Sequence, residues 1–296
     1  MLSLSCCRFL PLLLALTPAA SGAGSDWMKT IDGKQPLARL SIPGTHDAGA
    51  LHEPVAGTTQ CQNLTLAAQL EAGVRFLDIR CRHQHDAFAI YHGPVDQKLT
   101  FDEVLQTVSA FLKNHPSETV ILSAKEEYKA EENTRSFEAT FQSYLAKNPA
   151  IWHLSAALPA LDEVRGKIVL FRRFPSTLTG GIDASVWPDS TTFSSGSLRV
   201  QDAYQVTSND QKWAAITQQL TEAASGSAAT LFVNFTSGTT KRLGIPNIPS
   251  ISDDLNVRLA GYLSAHPAGC CGILVMDFVT PDACARVYGT NFPPGK

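Results

Sequence analysis

The chain has 296 residues, 44% of them hydrophobic and 17% charged, with a net charge of −3 from 24 Lys and Arg against 27 Asp and Glu. That is enough for one large globular domain, since α/β barrels run to about 250 residues as a unit. The absence of a basic stripe or run argues against a nucleic-acid partner, and past the N-terminus no stretch approaches the ~20 apolar residues of a membrane span.

The first residues read as a leader. Arg8 precedes an apolar run over 9–16 broken only by Pro11, followed by Pro18, Ala19, Ala20, Ser21, Gly22 and Ala23. A positive residue, a short apolar core and small residues near a cleavage point describe a secretory signal peptide, 1–23, with Ala20 as the alternative cleavage point. A buried N-terminal helix is the plainer reading of the same residues. Secretion to the extracellular space follows, with residues 24–296 as one catalytic domain. Of seven cysteines, Cys6 and Cys7 leave with the leader. Secretion permits disulfides among the rest, and the economical pairs are Cys61 with Cys81 and Cys284 with Cys270 or Cys271, leaving one free thiol. No Cys-x-x-Cys pair is present, which argues against a structural zinc site. Asn63 and Asn234 head glycosylation acceptor triplets, the second inside an apolar run and expected to be buried.

Eight short apolar, β-branched runs follow in chain order: 37–42, 74–79, 87–91, 119–123, 167–171, 198–201, 230–235 and 272–276. Near-continuous apolar runs of this length fit strands buried on both faces of a parallel sheet. Helical periodicity lies between several of them. Phe101, Val104, Leu105, Val108, Phe111 and Leu112 share one face, and further segments cover 64–73, 133–147, 209–224 and 253–266. Alternating strands and helices predict an α/β fold, and eight strands predict a single (β/α)8, TIM-like barrel. About seven residues separate the second and third strands, too few for a crossover helix, and 176–197 reads as a long loop. The barrel is therefore expected to be distorted and partly open.

Ionisable residues gather where these strands end. His46 and Asp47 follow the first strand, Asp78 and Arg80 the second, His92 the third, Lys125 and Glu127 the fourth. Arg172 and Arg173 follow the fifth, Asp202 and Tyr204 the sixth, Asp277 the eighth. In a parallel barrel these ends share one face, where active sites are built. Each residue has a plainer reading: His46 a core histidine, Asp47 a cap, Asp78 and Arg80 an ion pair, His92 a turn residue. The run Glu126, Glu127, Lys129, Glu131 and Glu132 reads as a solvated helix start. Together, two histidines, an arginine and several carboxylates at one end of a barrel argue for chemistry. Histidine can take a proton from an attacking hydroxyl and return one to a leaving oxygen, and arginine can neutralise a phosphate with a planar fork. Such a set needs no metal or other cofactor.

The same residues carry a family resemblance. The segment 37–47, ending Pro43-Gly44-Thr45-His46-Asp47, is similar to the opening of bacterial phosphatidylinositol-specific phospholipases C, as is Trp27-Met28 before it. The likeness continues through Gly73-Val74-Arg75-Phe76-Leu77-Asp78-Ile79-Arg80, Tyr91-His92-Gly93-Pro94 and Pro116-Ser117-Glu118-Thr119. It runs on through 123–128, 165–170, 200–204, Asn234-Phe235-Thr236 and Asp277, in family order across almost the whole chain after the leader. The resemblance implies a distorted barrel and a lyase or phosphodiesterase acting on phosphatidylinositol or glycosylphosphatidylinositol anchors. Diacylglycerol leaves and a cyclic inositol phosphate forms. It further implies His46 as general base paired with Asp277, His92 as general acid assisted by Asp47, and Arg80 with Asp78 at the phosphate. Lys125, Glu127, Arg173, Asp202 and Tyr204 are implied to line the inositol pocket, with Arg172 as the neighbouring alternative to Arg173. Arg80 stands where calcium-dependent relatives place acidic ligands, so no calcium requirement is expected.

Two departures concern the rim and Cys81. Segment 47–60 is short and has no aromatic residue, and 237–249 offers Lys241, Arg242, Leu243, Ile245 and Ile248 but no tryptophan or tyrosine. Aromatic side chains are the usual interfacial anchors, so peripheral, weak membrane contact by a monomer is expected. Cys81 replaces a small residue, and a bridge to Cys61 would tie down that strand end. Two other functions compete. A metal-dependent glycerophosphodiester phosphodiesterase on a similar barrel needs a carboxylate cluster, which Arg80 would oppose. A non-catalytic inositol-phosphate or glycan-binding module needs a missing catalytic group, whereas His46, Arg80, His92 and Asp277 are all present.

Overall fold

The computed structural model describes residues 24–177 and 180–293, so the expected leader, 1–23, lies outside the described residues. The strands are β1 (Ile42–Thr45), β2 (Phe76–Gln84), β3 (Ala87–His92), β4 (Val95–Thr100), β5 (Val120–Glu126), β6 (Trp152–His153) and β7 (Ile168–Arg173), then β8 (Ile182–Asp183), β9 (Thr191–Ser195), β10 (Leu198–Asp202), β11 (Leu231–Phe235), β12 (Thr240–Arg242), β13 (Ile245–Asn247) and β14 (Ile273–Met276). The helices are α1 (Leu66–Glu71), α2 (Phe101–Asn114), α3 (Phe137–Lys147), α4 (Leu161–Val164), α5 (Asn209–Ser225), α6 (Pro249–Ala265) and α7 (Pro281–Gly289). None is long and apolar enough to cross a membrane.

Strands run in the order β6-β7-β5-β2-β1-β14-β11-β10, every neighbouring pair parallel, with β9 antiparallel at the β10 edge. No pairing joins the β7 edge to the β10 edge among the described residues, so the barrel is distorted and open there. Aromatic packing fills the gap: the Trp187 ring meets Phe171, Phe193 and Phe235 edge-on.

Strand alternation sorts the side chains. In β2, Leu77, Ile79 and Cys81 pack outward under the helices while Phe76 points into the barrel. Asp78 and Arg80 share the parity of Phe76 and so face inward above it. In β5, Ile121 is inward and Val120, Leu122 and Ala124 outward; in β7, Val169 and Phe171 are inward and Ile168 and Leu170 outward. The inward parity continues to Lys125 and Arg173. These two and Arg80 are register partners on adjacent strands, which makes one cationic row near the top of the barrel. Helix α2 starts where expected because Thr100 and Glu103 form a capping box and its apolar face, including Phe101, Val104 and Val108, is buried.

Five expectations need correction. The run 37–42 is not a strand: Leu37–Arg39 is one 3-10 turn, and β1 begins at Ile42. The third run is not a barrel strand, since β3 pairs antiparallel with β2. His85 and Asp86 at the turn take φ of 51° and 57°, as a tight hairpin with the sheet's twist requires. Segment 176–197 is not all loop, because β8 and β9 extend the two edges of the gap. The charge run after β5 is not a helix start: Glu131 bridges to Gln84 and pairs with Arg82, and α3 begins only at Phe137 behind its Ser136 cap. Finally, Cys61, Cys81, Cys270, Cys271 and Cys284 are all buried and free, so neither expected bridge is present. Their thiols meet other groups: Cys61 meets His92, Cys270 the carbonyls of Ala38 and Leu40, Cys271 the Thr290 hydroxyl.

At the opposite end of the barrel, fully buried Arg75 donates from Nε to Glu118 Oε2 at 3.0 Å and to the carbonyls of Leu70, Val74 and Ser25. Glu118 in turn accepts from the Met28 backbone at 3.1 Å, tying the start of the described chain to β5. Arg75→Met leaves a buried carboxylate without its cation and is expected to cost ~3–5 kcal/mol, read as a lower urea midpoint at unchanged slope. A change within about 0.5 kcal/mol would mean that water replaces the pair.

Candidate active site

The expected residues converge on one cavity of about 430 Å³ at the carboxyl ends of the strands. His46, Arg80, His92, Lys125, Glu127, Arg173, Asp202 and Tyr204 line it. Asp47, Asp78 and Asp277 stand behind them, buried. Arg172 does not reach it: with the outward parity of β7 it pairs with Asp183 and donates to the carbonyls of Gly180 and Phe174. Arg173 is therefore the residue that faces the cavity.

His46 lies between two groups of opposite character. Its Nδ1 is 2.8 Å from Asp277 Oδ1, and its Nε2 is 2.7 Å from Arg80 Nη2. Arg80 donates, so Nε2 carries the lone pair and Nδ1 the proton in the neutral ring. Burial opposes the imidazolium and so does Arg80, but Asp277, with Asp78 adding to it, brings the pKa above its ordinary 6.5. Arg80 also donates to Asp78 Oδ2 from Nε and Nη2, both at 3.2 Å, and its Nε lies 3.7 Å from Asp47 Oδ2. Burial alone would raise Asp78, yet Arg80 and then Arg173 hold its carboxyl well below the usual range.

The second histidine has a similar carboxylate. His92 Nδ1 lies 3.0 Å from Asp47 Oδ2, and Cys61 Sγ lies 3.5 Å from the same nitrogen. Neither Asp47 oxygen makes a well-directed hydrogen bond although the residue is fully buried. Asp47 holds φ of 39°, a left-handed conformation that costs a non-glycine residue energy and turns the chain sharply after His46.

Around the mouth, Lys125 Nζ donates to Glu127 Oε2 at 2.8 Å, and Glu127 Oε1 accepts from Gly93 N at 3.0 Å. Burial and then Arg80 lower the pKa of Lys125, and Glu127, pushed up by burial, is brought down by Arg80 and Lys125. Arg173 donates to Asp78 Oδ1 at 3.1 Å and stacks 3.7 Å from the Trp187 ring centre. The Trp187 indole donates to Asp202 Oδ2 at 2.9 Å, and Tyr204 Oη donates to Asp189 Oδ1 at 2.7 Å. Trp187, Asp189 and Cys61 are site residues that sequence reasoning missed. Trp187 sat in an apparent loop, where a lone tryptophan was the available signal, and Cys61 was assigned to a disulfide.

Two His–Asp pairs flank an arginine on one cavity of an open parallel barrel, a class of arrangement that can move protons beside an anionic group. The family model for the phosphatidylinositol-specific phospholipase C X domain matches residues 33–174. The chain is 31% identical over 279 residues to a 1-phosphatidylinositol phosphodiesterase of Staphylococcus aureus, spanning 87% of this chain and 89% of that one. It is 29% identical to a 1-phosphatidylinositol phosphodiesterase of Listeria monocytogenes over 90% of this chain and 84% of the relative. A crystal structure of the Staphylococcus aureus phosphatidylinositol-specific phospholipase C superposes with a TM-score of 0.84 at 28% identity, covering 92% of this chain and 99% of that one. The chain belongs to the phosphatidylinositol-specific phospholipase C X-domain family.

Proposed function

We propose that this chain, exported by its leader and cleaved near residue 23, is a monomeric, metal-independent phospholipase C acting on phosphatidylinositol or a related inositol phosphodiester. The observation that carries the reading is the chain of contacts Asp277–His46–Arg80–Asp78, with His92–Asp47 beside it, on one cavity. The inositol 2-hydroxyl attacks its own phosphorus while His46 Nε2 takes the hydroxyl proton. Asp277 stabilises the imidazolium that results. His92 gives a proton to the departing diacylglycerol oxygen, while Asp47, 3.0 Å from its Nδ1, orients the ring. As Nε2 becomes protonated it loses its bond from Arg80, so the guanidinium fork is released toward the phosphate as negative charge builds there. Lys125, Glu127, Arg173, Asp202 and Tyr204 offer donors and acceptors to the ring hydroxyls. The β12–β13 hairpin beside the mouth exposes Leu243 (97%) and Ile245 (53%) without an aromatic anchor, which fits peripheral, weak contact with a lipid surface.

Phosphorus NMR with dispersed phosphatidylinositol tests this reading. A cyclic inositol phosphate is expected in excess chelator, and turnover only after calcium or magnesium is added would sink it. The pH profile tests the Asp277 pairing. Because Asp277 raises His46 while burial and Arg80 lower it, Asp277→Asn must lower the His46 pKa. The acid limb of kcat/KM, which reports deprotonation of the free enzyme's base, is expected above pH 6.5 in the parent and displaced to lower pH in the variant, with a lower plateau. An unmoved limb would remove Asp277 from the role.

A further inference from the structure

We propose that Cys61, His92 and Asp47 form an inhibitory site for a borderline-soft divalent cation, with Zn2+ as the fitting ion. The inhibitory consequence rests on the acid role given to His92 above; the binding itself does not. The geometry is that of three donors on one coordination sphere. Zn–S bonds of ~2.3 Å and Zn–N or Zn–O bonds of ~2.1 Å place neighbouring tetrahedral ligands about 3.3–3.6 Å apart. Cys61 Sγ and His92 Nδ1 are 3.5 Å apart, His92 Nδ1 and Asp47 Oδ2 are 3.0 Å apart, and all three donor atoms lie within 4.8 Å of one another.

A second observation points to a ligand independently of the thiol. Asp47 is fully buried, and both of its oxygens lack a well-formed hydrogen bond. A buried carboxylate without directed donors is a costly arrangement that a bound cation relieves. The Cys61 backbone is held on both sides, its N–H donating to Ala50 O and its carbonyl accepting from Phe278 N, which anchors the segment that carries the thiol. His92, 20% exposed, lines the cavity and so connects the three donors to it.

Charge and softness choose the ion. On binding, the Cys61 thiol loses its proton to solvent and the thiolate takes up the cation. Thiolate and Asp47 together offset the 2+ charge; Arg80, whose Nε stands 3.7 Å from Asp47 Oδ2, pairs more closely with Asp78 at 3.2 Å. A thiolate–imidazole–carboxylate set suits Zn2+, whereas Ca2+ and Mg2+ require oxygen donors. Burial holds the Cys61 thiol well above its ordinary pKa, so without a cation it stays protonated and inert to oxidation. Coordination at Nδ1 keeps His92 from becoming the imidazolium that donates to the leaving oxygen, so the metal acts against turnover and is no cofactor.

Cobalt(II) binding, read by absorbance, tests the site without reference to activity. One equivalent of Co2+ is expected to bring up a thiolate-to-cobalt charge-transfer band with tetrahedral visible bands, which Zn2+ displaces and Cys61→Ser abolishes. Absence of the band in the parent protein overturns the proposal, whatever the fold of the variant. In the turnover assay, each protein measured against its own metal-free rate, Zn2+ is expected to lower the parent's rate by about 100-fold, the lower end of what a positioned general acid contributes. A chelator restores it, and Ca2+ at the same concentration has no effect. Zn2+ inhibition of Cys61→Ala as strong as that of the parent also overturns the assignment. A Cys61-dependent band in a protein that does not turn over phosphatidylinositol leaves the metal site standing and sinks the functional reading instead.

Discussion

Turnover of the His46→Ala variant is expected to fall by about 10² to 10⁴-fold, ~3–5 kcal/mol of transition-state stabilisation, with little change in KM. The ring joins the Asp277 carboxylate to the Arg80 guanidinium, through contacts of 2.8 and 2.7 Å at its two nitrogens. Its removal therefore takes away the proton acceptor and the link by which protonation releases Arg80. The fold should tolerate the change, because the His46 side chain is 14% exposed on the cavity and water can fill the space. An unchanged thermal midpoint beside the lost rate would locate the effect in chemistry. A rate within tenfold of the parent would require a different base.

Arg80→Lys is expected to lower turnover by about 10² to 10³-fold, the range for loss of one preorganised donor to a developing anion. The substitution keeps the charge, so the expected loss measures the fork. In the parent, one guanidinium donates to Asp78 Oδ2 from both Nε and Nη2 and reaches His46 Nε2 from Nη2. A lysine ammonium is a compact point charge on a flexible stem and does not hold these directions together. The neighbours also disfavour a second mobile cation, since Lys125 and Arg173 are its register partners on the next two strands. A mild loss would assign the phosphate to Lys125 or Arg173, and separate substitutions of those residues would then carry the larger effect.

Much of this site was legible from local sequence. A polar residue that follows an apolar strand marks the carboxyl end of that strand, and a parallel barrel brings all such ends together; hence His46, Arg80, Lys125, Asp202 and Asp277 could be named without coordinates. The alternation along β7 was equally visible, but alternation says only that Arg172 and Arg173 face opposite ways. Which of them faces the cavity depends on Val169 and Phe171 packing inside the barrel, a fact of the curved sheet. The His46–Asp277 pair spans 231 residues and forms because β1 and β14 are parallel neighbours. The same holds for Cys61. Its spacing to Cys81 suggested a bridge, whereas the loop after β1 turns its thiol onto His92 and strand alternation sends Cys81 to the outer layer. Periodicity and residue type are properties of neighbours in the chain, and they determined most of the parallel strands, the longer helices and most of the chemical groups of this protein. Tertiary structure decided which faces and which distant groups meet, because those depend on sheet order and curvature that emerge only when the whole apolar surface is buried at once.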